Sequence, residues 1–448
     1  MKVDHSRRWK IFAVAGATVA LVAGMAATVP NAYAGGTIKA DDDKWISVGM
    51  GMRNSFSMKE DGSASGGQYS NSFGVDNARI YINGKIHKYV GFEFNTECFN
   101  CGNSGQAAGP RTNNTFGSNS AVGMLDVIGK FEITELVNVW FGRMLVPTER
   151  GELNGPFYHA VYDGFRTPLN PADFSTNFGG GGAGMYGRDN GVTFFGKIHP
   201  GGTHLQYVAG LFTGQQSGLV TAGGGAGPNG RNSLKYAGRL TWNLLNEEKN
   251  PGYYTSGTYY GTAGDILALA VGGEYQNHSA GSLANPAPFG AVVSDILFEK
   301  VLPNNNGVFT FNAEYKRYWA GNLASFNDAS TLLASTLGPN ATNFPIFSGT
   351  SFTAYALYLF PNEVGIGRFQ PYTRYTFVNS VHSSALDEFE NGVNYVISGH
   401  NARISTWWRH GNLSTSASNY PGTTGFSGPA GLAGPHQDSF HVAMQLQY

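Results

Sequence analysis

The last eleven residues read Asp438-Ser439-Phe440-His441-Val442-Ala443-Met444-Gln445-Leu446-Gln447-Tyr448. Phe440, Val442, Met444, Leu446 and Tyr448 fall on one parity; His441, Ala443, Gln445 and Gln447 fall on the other. A helix would scatter those apolar residues around its circumference. A strand, whose successive side chains point to opposite faces, gathers them on one side. The pattern recurs upstream. In Arg368–Val378, Phe369, Thr373, Tyr375 and Phe377 oppose Arg368, Gln370, Arg374 and Thr376. In Asn401–Gly411, Ala402, Ile404, Thr406 and Trp408 oppose Arg403, Ser405, Trp407 and Arg409. Val308–Tyr318 and Asp76–Ile86 repeat it, with Arg79, Lys85 and Lys316 on the polar faces. These are strands whose two faces meet different solvents.

Sixteen such segments are legible: 44–56, 76–86, 88–97, 123–133, 137–145, 190–198, 203–213, 233–244, 265–275, 291–300, 307–318, 351–360, 368–378, 388–397, 401–411 and 438–448. They average about 11 residues, and a tilted strand needs about 9–11 to cross a bilayer. The connections alternate in length. His87, Ile133–Leu136, Pro200-Gly201-Gly202, Asn304–Gly307 and Gly399-His400 are tight turns. The connections 57–75, 98–122, 146–189, 214–232, 319–350 and 412–437 are long loops. Short periplasmic turns opposite long extracellular loops are the habit of outer-membrane barrels. One connection, 245–264, lies on the short-turn side yet is long. The expected fold is all-β: one transmembrane antiparallel β-barrel of about 16 strands over 35–448, wide enough for an aqueous lumen.

Composition excludes the alternatives. The chain has 448 residues, 63 of them glycine, with 13% aromatic and only 13% charged residues. Disorder needs high charge and few aromatics. Coiled coils need far more Ala, Glu, Lys and Leu, and soluble globular chains carry about 25% charged residues. Net charge is −1, which provides no polyanion-binding surface and argues against nucleic acid as a partner.

Residues 1–34 read as a cleaved signal peptide. A basic start through Lys10 precedes an apolar run from Ile11 to Ala27, and Ala32-Tyr33-Ala34 offers small residues ahead of a cut before Gly35. Ser6-Arg7-Arg8 is read as ordinary n-region basicity. Beyond it no apolar stretch approaches the ~20 residues of a membrane helix. Exported chains with two cysteines are not disulfide-stapled scaffolds. Cys98 and Cys101 form a C-x-x-C read as a local disulfide; no His follows Cys101 for haem attachment, and two cysteines cannot complete a zinc site. Gly179–Gly184 and Gly225–Gly230 match G-x-G-x-x-G, but neither opens a helix in a βαβ unit. There is no H-E-x-x-H and no G-x-S-x-G. The chain reads as no enzyme, with no cofactor and no metal.

Several stretches resemble the phosphate-selective porin O and P family of bacterial outer-membrane porins. Asp76-Asn77-Ala78-Arg79-Ile80-Tyr81-Ile82-Asn83-Gly84-Lys85, with Tyr89-Val90-Gly91-Phe92-Glu93-Phe94, resembles that family's first hairpin. Val139-Trp140-Phe141-Gly142-Arg143-Met144-Leu145-Val146-Pro147 resembles the strand leading into its third loop. Glu390-Asn391-Gly392-Val393-Asn394-Tyr395, with His400-Asn401-Ala402-Arg403-Ile404, resembles its penultimate hairpin. The terminal aromatic Tyr448 is similar to the signal that barrel-assembly machinery reads. The resemblance implies an integral outer-membrane homotrimer whose third loop, here 146–189, folds inward. It also implies a pore lined by arginines and lysines, although this loop sets Arg150, Arg166 and Arg188 against Glu149, Glu152, Asp163, Asp173 and Asp189.

By the alternation, the pore-lining cations are Arg79, Lys85, Lys235, Arg239, Lys316, Arg368, Arg374, Arg403 and Arg409, with Arg150 and Arg166 from the loop. The lumenal acids are Glu93, Glu314, Glu388 and Glu390. That excess of cations implies a mildly anion-preferring passive channel for small hydrophilic solutes and ions, phosphate-like by resemblance. The alternative is a barrel serving as scaffold for a redox or surface-exposed partner protein. Trp45, Trp242, Tyr259, Tyr260 and Trp319 suit aromatic girdles at the membrane interfaces.

Overall fold

The computed structural model describes residues 36–60, 67–99, 121–164, 166–167, 187–214, 233–281, 286–320, 348–380, 385–413 and 435–448. The signal segment 1–34, Cys101 and both glycine-rich stretches lie outside the described residues. Seventeen strands follow one another: β1 Gly36–Asp41, β2 Lys44–Lys59, β3 Ser70–His87, β4 Val90–Phe99, β5 Ala121–Glu132 and β6 Asn138–Leu145. Then come the short helix α1 Arg150–Asn154, β7 Arg188–Ile198, β8 His204–Phe212, β9 Lys235–Asn243, β10 Ile266–Gly281 and β11 Pro286–Val301. β12 Val308–Ala320, β13 Gly349–Leu359, β14 Arg368–Ser380, β15 Leu386–Ser398, β16 Ala402–Gly411 and β17 Gln437–Gln447 complete the chain.

From β2 to β17 each strand pairs antiparallel with the next, and β17 pairs back onto β2. The sheet is a closed sixteen-stranded antiparallel barrel, and each of the sixteen alternating segments corresponds to one of its strands. Several strands outrun their apolar alternation. β3 begins at Ser70, β10 runs on to Gly281 and β11 begins at Pro286, past the bounds 76, 275 and 291 read from the alternation. Past the apolar band both faces meet water, so the two-residue contrast fades while the hydrogen-bond ladder continues.

The sequence did not announce β1. Gly36–Asp41 pairs with the first part of β2, from Gly36 opposite Val48 to Asp41 opposite Lys44. β17 takes the remainder of the same edge, Gln447 opposite Gly51 to Ser439 opposite Lys59. Tyr448 exchanges backbone hydrogen bonds with Met50 at 2.9 and 2.7 Å. β1 and β17 therefore lie end to end along β2 and cover an edge that would otherwise hold unpaired amides and carbonyls.

Polarity is inverted relative to a soluble protein. Outward stand Met50, Ile80, Phe141, Phe194, Leu240, Val271, Val292 and Phe389, all exposed. Inward stand Arg79, Glu97, Asp126, Lys235, Asp295, Lys316, Arg374 and Arg403, all buried. An apolar outer band around a polar interior is what a bilayer-spanning barrel requires. The interior also holds apolar clusters. Ile128, Trp140, Phe195, Val208 and Phe212, on the inner faces of β5–β8, pack with Leu145, Val146, Leu153 and Tyr253. A second cluster joins Ala160, Val161 and Tyr162 to Tyr355, Tyr372 and Trp407.

Candidate functional site: the barrel interior

Two segments enter the lumen. The first follows β6. Val146 donates to the Gly187 carbonyl at 2.8 Å, and from there the chain crosses the interior to Gly164. Gly151 in α1 donates to Glu314 of β12 at 3.1 Å. Gln445 of β17 donates to the Phe157 carbonyl at 2.8 Å. Arg403 of β16 donates to the carbonyls of His159 and Ala160 at 2.9 and 3.1 Å, and Asn394 of β15 reaches Ala160 at 2.9 Å. The Tyr162 hydroxyl donates to Asp76 of β3 at 2.6 Å. Beyond Gly164, Arg166 forks onto Glu388 of β15 at 2.9 and 2.5 Å. Residues 168–186 of the expected loop lie outside the described residues.

The second is the connection between β9 and β10, the one too long for a turn. It rises into the barrel from the short-turn side. Gln206 of β8 donates to the Gly252 carbonyl at 2.7 Å, and the Tyr253 hydroxyl to the Leu145 carbonyl at 2.8 Å. Trp140 is ringed by Phe195, Tyr253 and Tyr254, with centroids 5.1–5.3 Å away. Glu299 of β11 accepts from the Thr258 hydroxyl and from the amides of Tyr259 and Gly261 at 2.7, 3.0 and 2.8 Å. His400, in the β15–β16 turn, contacts the Ser256 hydroxyl at 3.0 Å and the Thr258 carbonyl at 2.9 Å. Burial, and then the nearby Arg403 charge, lower the His400 pKa to about 3.

The two segments are joined at Arg150, whose side chain is 1% exposed. It donates to both oxygens of Glu248 at 2.8 Å, to Asp295 of β11 at 2.8 Å and to the Ser256 carbonyl at 3.2 Å. Burial pulls its pKa down, but Glu248 and Asp295 outweigh it and hold the guanidinium charge firmly in place. Glu152, next along α1, is fully buried with neither oxygen hydrogen-bonded. Burial, then Glu274, raises its carboxyl well above the usual range.

Most cations named from the alternation are held by acids. Arg79 pairs with Glu97, and Lys235 with Asp189 at 2.9 Å. Arg239 pairs with Asp295 at 2.5 Å, and Lys316 with Glu149 and, at 3.2 Å, with Glu314. Arg374 and Arg409 meet Glu390 at 2.7 and 2.8 Å, and Arg409 also reaches Asp163 at 3.0 Å. Burial raises the Asp163 pKa, but Arg409 and Arg166 more than reverse this and hold it well below the carboxylate range. Arg403 meets carbonyls and Gln445 instead of a carboxylate. Lys85 and Arg368 are partly exposed at the short-turn ends of β3 and β14. The four acids expected inside are joined by Glu97, Asp126, Asp189, Glu274, Asp295 and Glu299, all buried. The interior is a charge-balanced lattice, which corrects the cation excess counted from the sequence.

Between these segments and the wall remains a cavity of about 850 Å³. Arg79, Glu93, Asp126 and Lys130 line it from β3–β5, with Arg188 from β7, Leu153 and Asn154 from α1, and Tyr158 beyond. Lys39 of β1, Trp45 of β2, Lys249, Asn250 and Tyr254 of the second segment, and Tyr448 complete the lining. Lys130 pairs with Glu93, and Arg188 with Asp126 at 2.9 Å. Of the eleven cations named from the sequence, Arg79 is the one that lines this cavity among the described residues. Lys39 and Lys249 were missed because one lies on the unannounced β1 and the other in the anomalous connection. Both are exposed.

Trp242 and Trp319 face outward, 47% and 40% exposed. Trp45 lines the cavity, and Tyr259 and Tyr260 are buried inside the second segment, which takes these three off the membrane interface. Cys98 is disulfide-bonded at the end of β4.

No family model matches the chain, and no curated protein matches it. Solved structures of similar path exist. OmpT of Vibrio cholerae is 11% identical over 92% of this chain and 100% of its own, with a TM-score of 0.46. An anion-selective porin from Comamonas acidovorans is 11% identical over 90% and 99%, at 0.49. The outer membrane channel DcaP of Acinetobacter baumannii is 11% identical over 93% and 100%, at 0.44. Likeness at this level carries nothing about solute or selectivity.

Proposed function

We propose that this chain is an integral outer-membrane porin, a passive channel for small hydrophilic solutes with a mild preference for anions. One observation carries the reading: a closed barrel with apolar side chains outside and charged, hydrogen-bonded ones inside, which suits a wall between lipid and water. The inward segments leave a polar cavity, and a solute would move by diffusion with no bond made or broken. Cations outnumber acids along that cavity, which favours anions modestly. The motif resemblance extends the solutes to phosphate-like anions and adds a homotrimer, with barrel-assembly machinery reading the strand that ends at Tyr448. Liposome swelling tests the reading. Reconstituted protein is expected to admit small neutral sugars at rates that fall steeply with solute size. Folded, heat-modifiable protein that leaves liposomes impermeable to all of them contradicts it.

A further inference from the structure

We infer that the ionic preference of this passage is set by Lys249 and Lys39, two lysines carried by elements outside the sixteen-strand wall, and not by the wall arginines; this rests on the porin reading. A passing ion feels the sum of the charges around it. The wall cations of the cavity, Arg79, Lys130 and Arg188, each sit against a carboxylate: Glu97, Glu93 and Asp126. Two opposite charges in contact largely cancel at a distance, whereas an isolated charge does not. Deeper arginines such as Arg374 and Arg403 are 2% and 0% exposed beneath the first inward segment, bound to its carbonyls.

Lys249 and Lys39 are different. Both line the cavity and are exposed, and neither has an ion-pair partner among the described residues. Each stands on fixed backbone. Lys249 is flanked by Glu248, clamped by Arg150, and by Asn250, hydrogen-bonded to Tyr259. Lys39 is held in the β1–β2 ladder opposite Trp45. The carboxylates in the same lining, Glu93 and Asp126, are already paired with Lys130 and Arg188. Two unpaired lysines beside wall charges that are paired give a small net positive field, which accounts for a mild preference. The inward course of 244–265 thus gains a purpose: it brings an uncompensated cation to a cavity whose wall cations, Arg79, Lys130 and Arg188, are each paired with a carboxylate.

The test is reversal potential in planar bilayers under a potassium chloride gradient, on K249E, K39E and the double variant. Both lysines are exposed, so the variants are expected to fold, checked by the heat-dependent gel shift. A charge roughly 8 Å from the ion path at about 0.1 M salt moves the chloride-to-potassium permeability ratio about fivefold on reversal. Each single variant is expected to lower the ratio by that factor, and the double variant to prefer potassium. R79Q/E97Q, which removes a wall pair without changing net charge, is expected to stay within about twofold of the parent. Conducting channels whose ratio is unmoved in the double variant overturn the inference and leave the porin standing, as does an equal shift in R79Q/E97Q. A parent protein that does not conduct overturns the porin reading itself.

Discussion

Replacing Arg150 by Met removes the guanidinium that ties the two inward segments to each other and to the wall, while keeping most of its stem. Glu248, 8% exposed, loses both of its 2.8 Å bonds from Arg150 and keeps the Tyr259 hydroxyl at 3.0 Å. Asp295 keeps Arg239 at 2.5 Å. One carboxylate is orphaned, not two. Breaking a buried pair by removing one partner costs about 3–5 kcal/mol, and the surviving Arg239–Asp295 pair puts R150M at the lower end, about 3 kcal/mol. E248Q leaves Arg150 bound to Asp295, so its cost is about 1–3 kcal/mol. The double variant is expected to cost less than the two singles together, because no unpaired charge stays buried. Urea unfolding in liposomes reads all three. Trp140, packed on Tyr253 and Tyr254, reports the seating of the second segment through its emission. R150M within about 0.5 kcal/mol of the parent, or strictly additive singles, would refute Arg150 as the clamp.

Other perturbations bear on other parts. V271R places a charge in the outward band, where Val271 is 50% exposed, and is expected to cost about 2–4 kcal/mol in liposome unfolding if that face meets lipid. G252A adds a Cβ that would lie 2.3 Å from Trp140 at a φ of 56°, so it is expected to unseat the second segment and raise single-channel conductance. Acid should loosen the interior. His400 and His159 are both lowered to about 3 by burial first and neighbouring arginines next. Below about pH 6.5 the unfolded chain takes up protons that the folded chain refuses, so stability is full above 6.5 and declines towards pH 3. H400Q is expected to show a shallower decline than the parent in urea midpoints measured at pH 7, 5 and 4.

The strands were legible wherever their two faces meet different surroundings. β14 and β16, with Phe369 and Trp408 outside and Gln370 and Arg403 inside, could be assigned residue by residue. β11 could not. Its inner face carries Ala291, Val293 and Leu297 and its outer face Val292, Ile296 and Phe298. Where the inner wall packs against an inward segment it is apolar too, so parity loses its meaning and Asp295 and Glu299 went unassigned. β1 has too few residues, with Ile38 its lone large apolar one, to make a pattern. The connection 245–264 was conspicuous by its length, but its destination depends on partners such as Arg150 and Glu299, scattered along the chain. Charge on a face was readable; pairing was not. That difference moves the interesting cations from Arg374 and Arg403 to Lys39 and Lys249.

Single-channel recording of the purified, folded parent protein in a planar bilayer tests the account most directly. Discrete conductance steps are expected, with a reversal potential in a potassium chloride gradient that favours chloride modestly. A bilayer that stays silent while the protein is demonstrably inserted would contradict it, because the cavity would then be a closed pocket inside a plugged barrel.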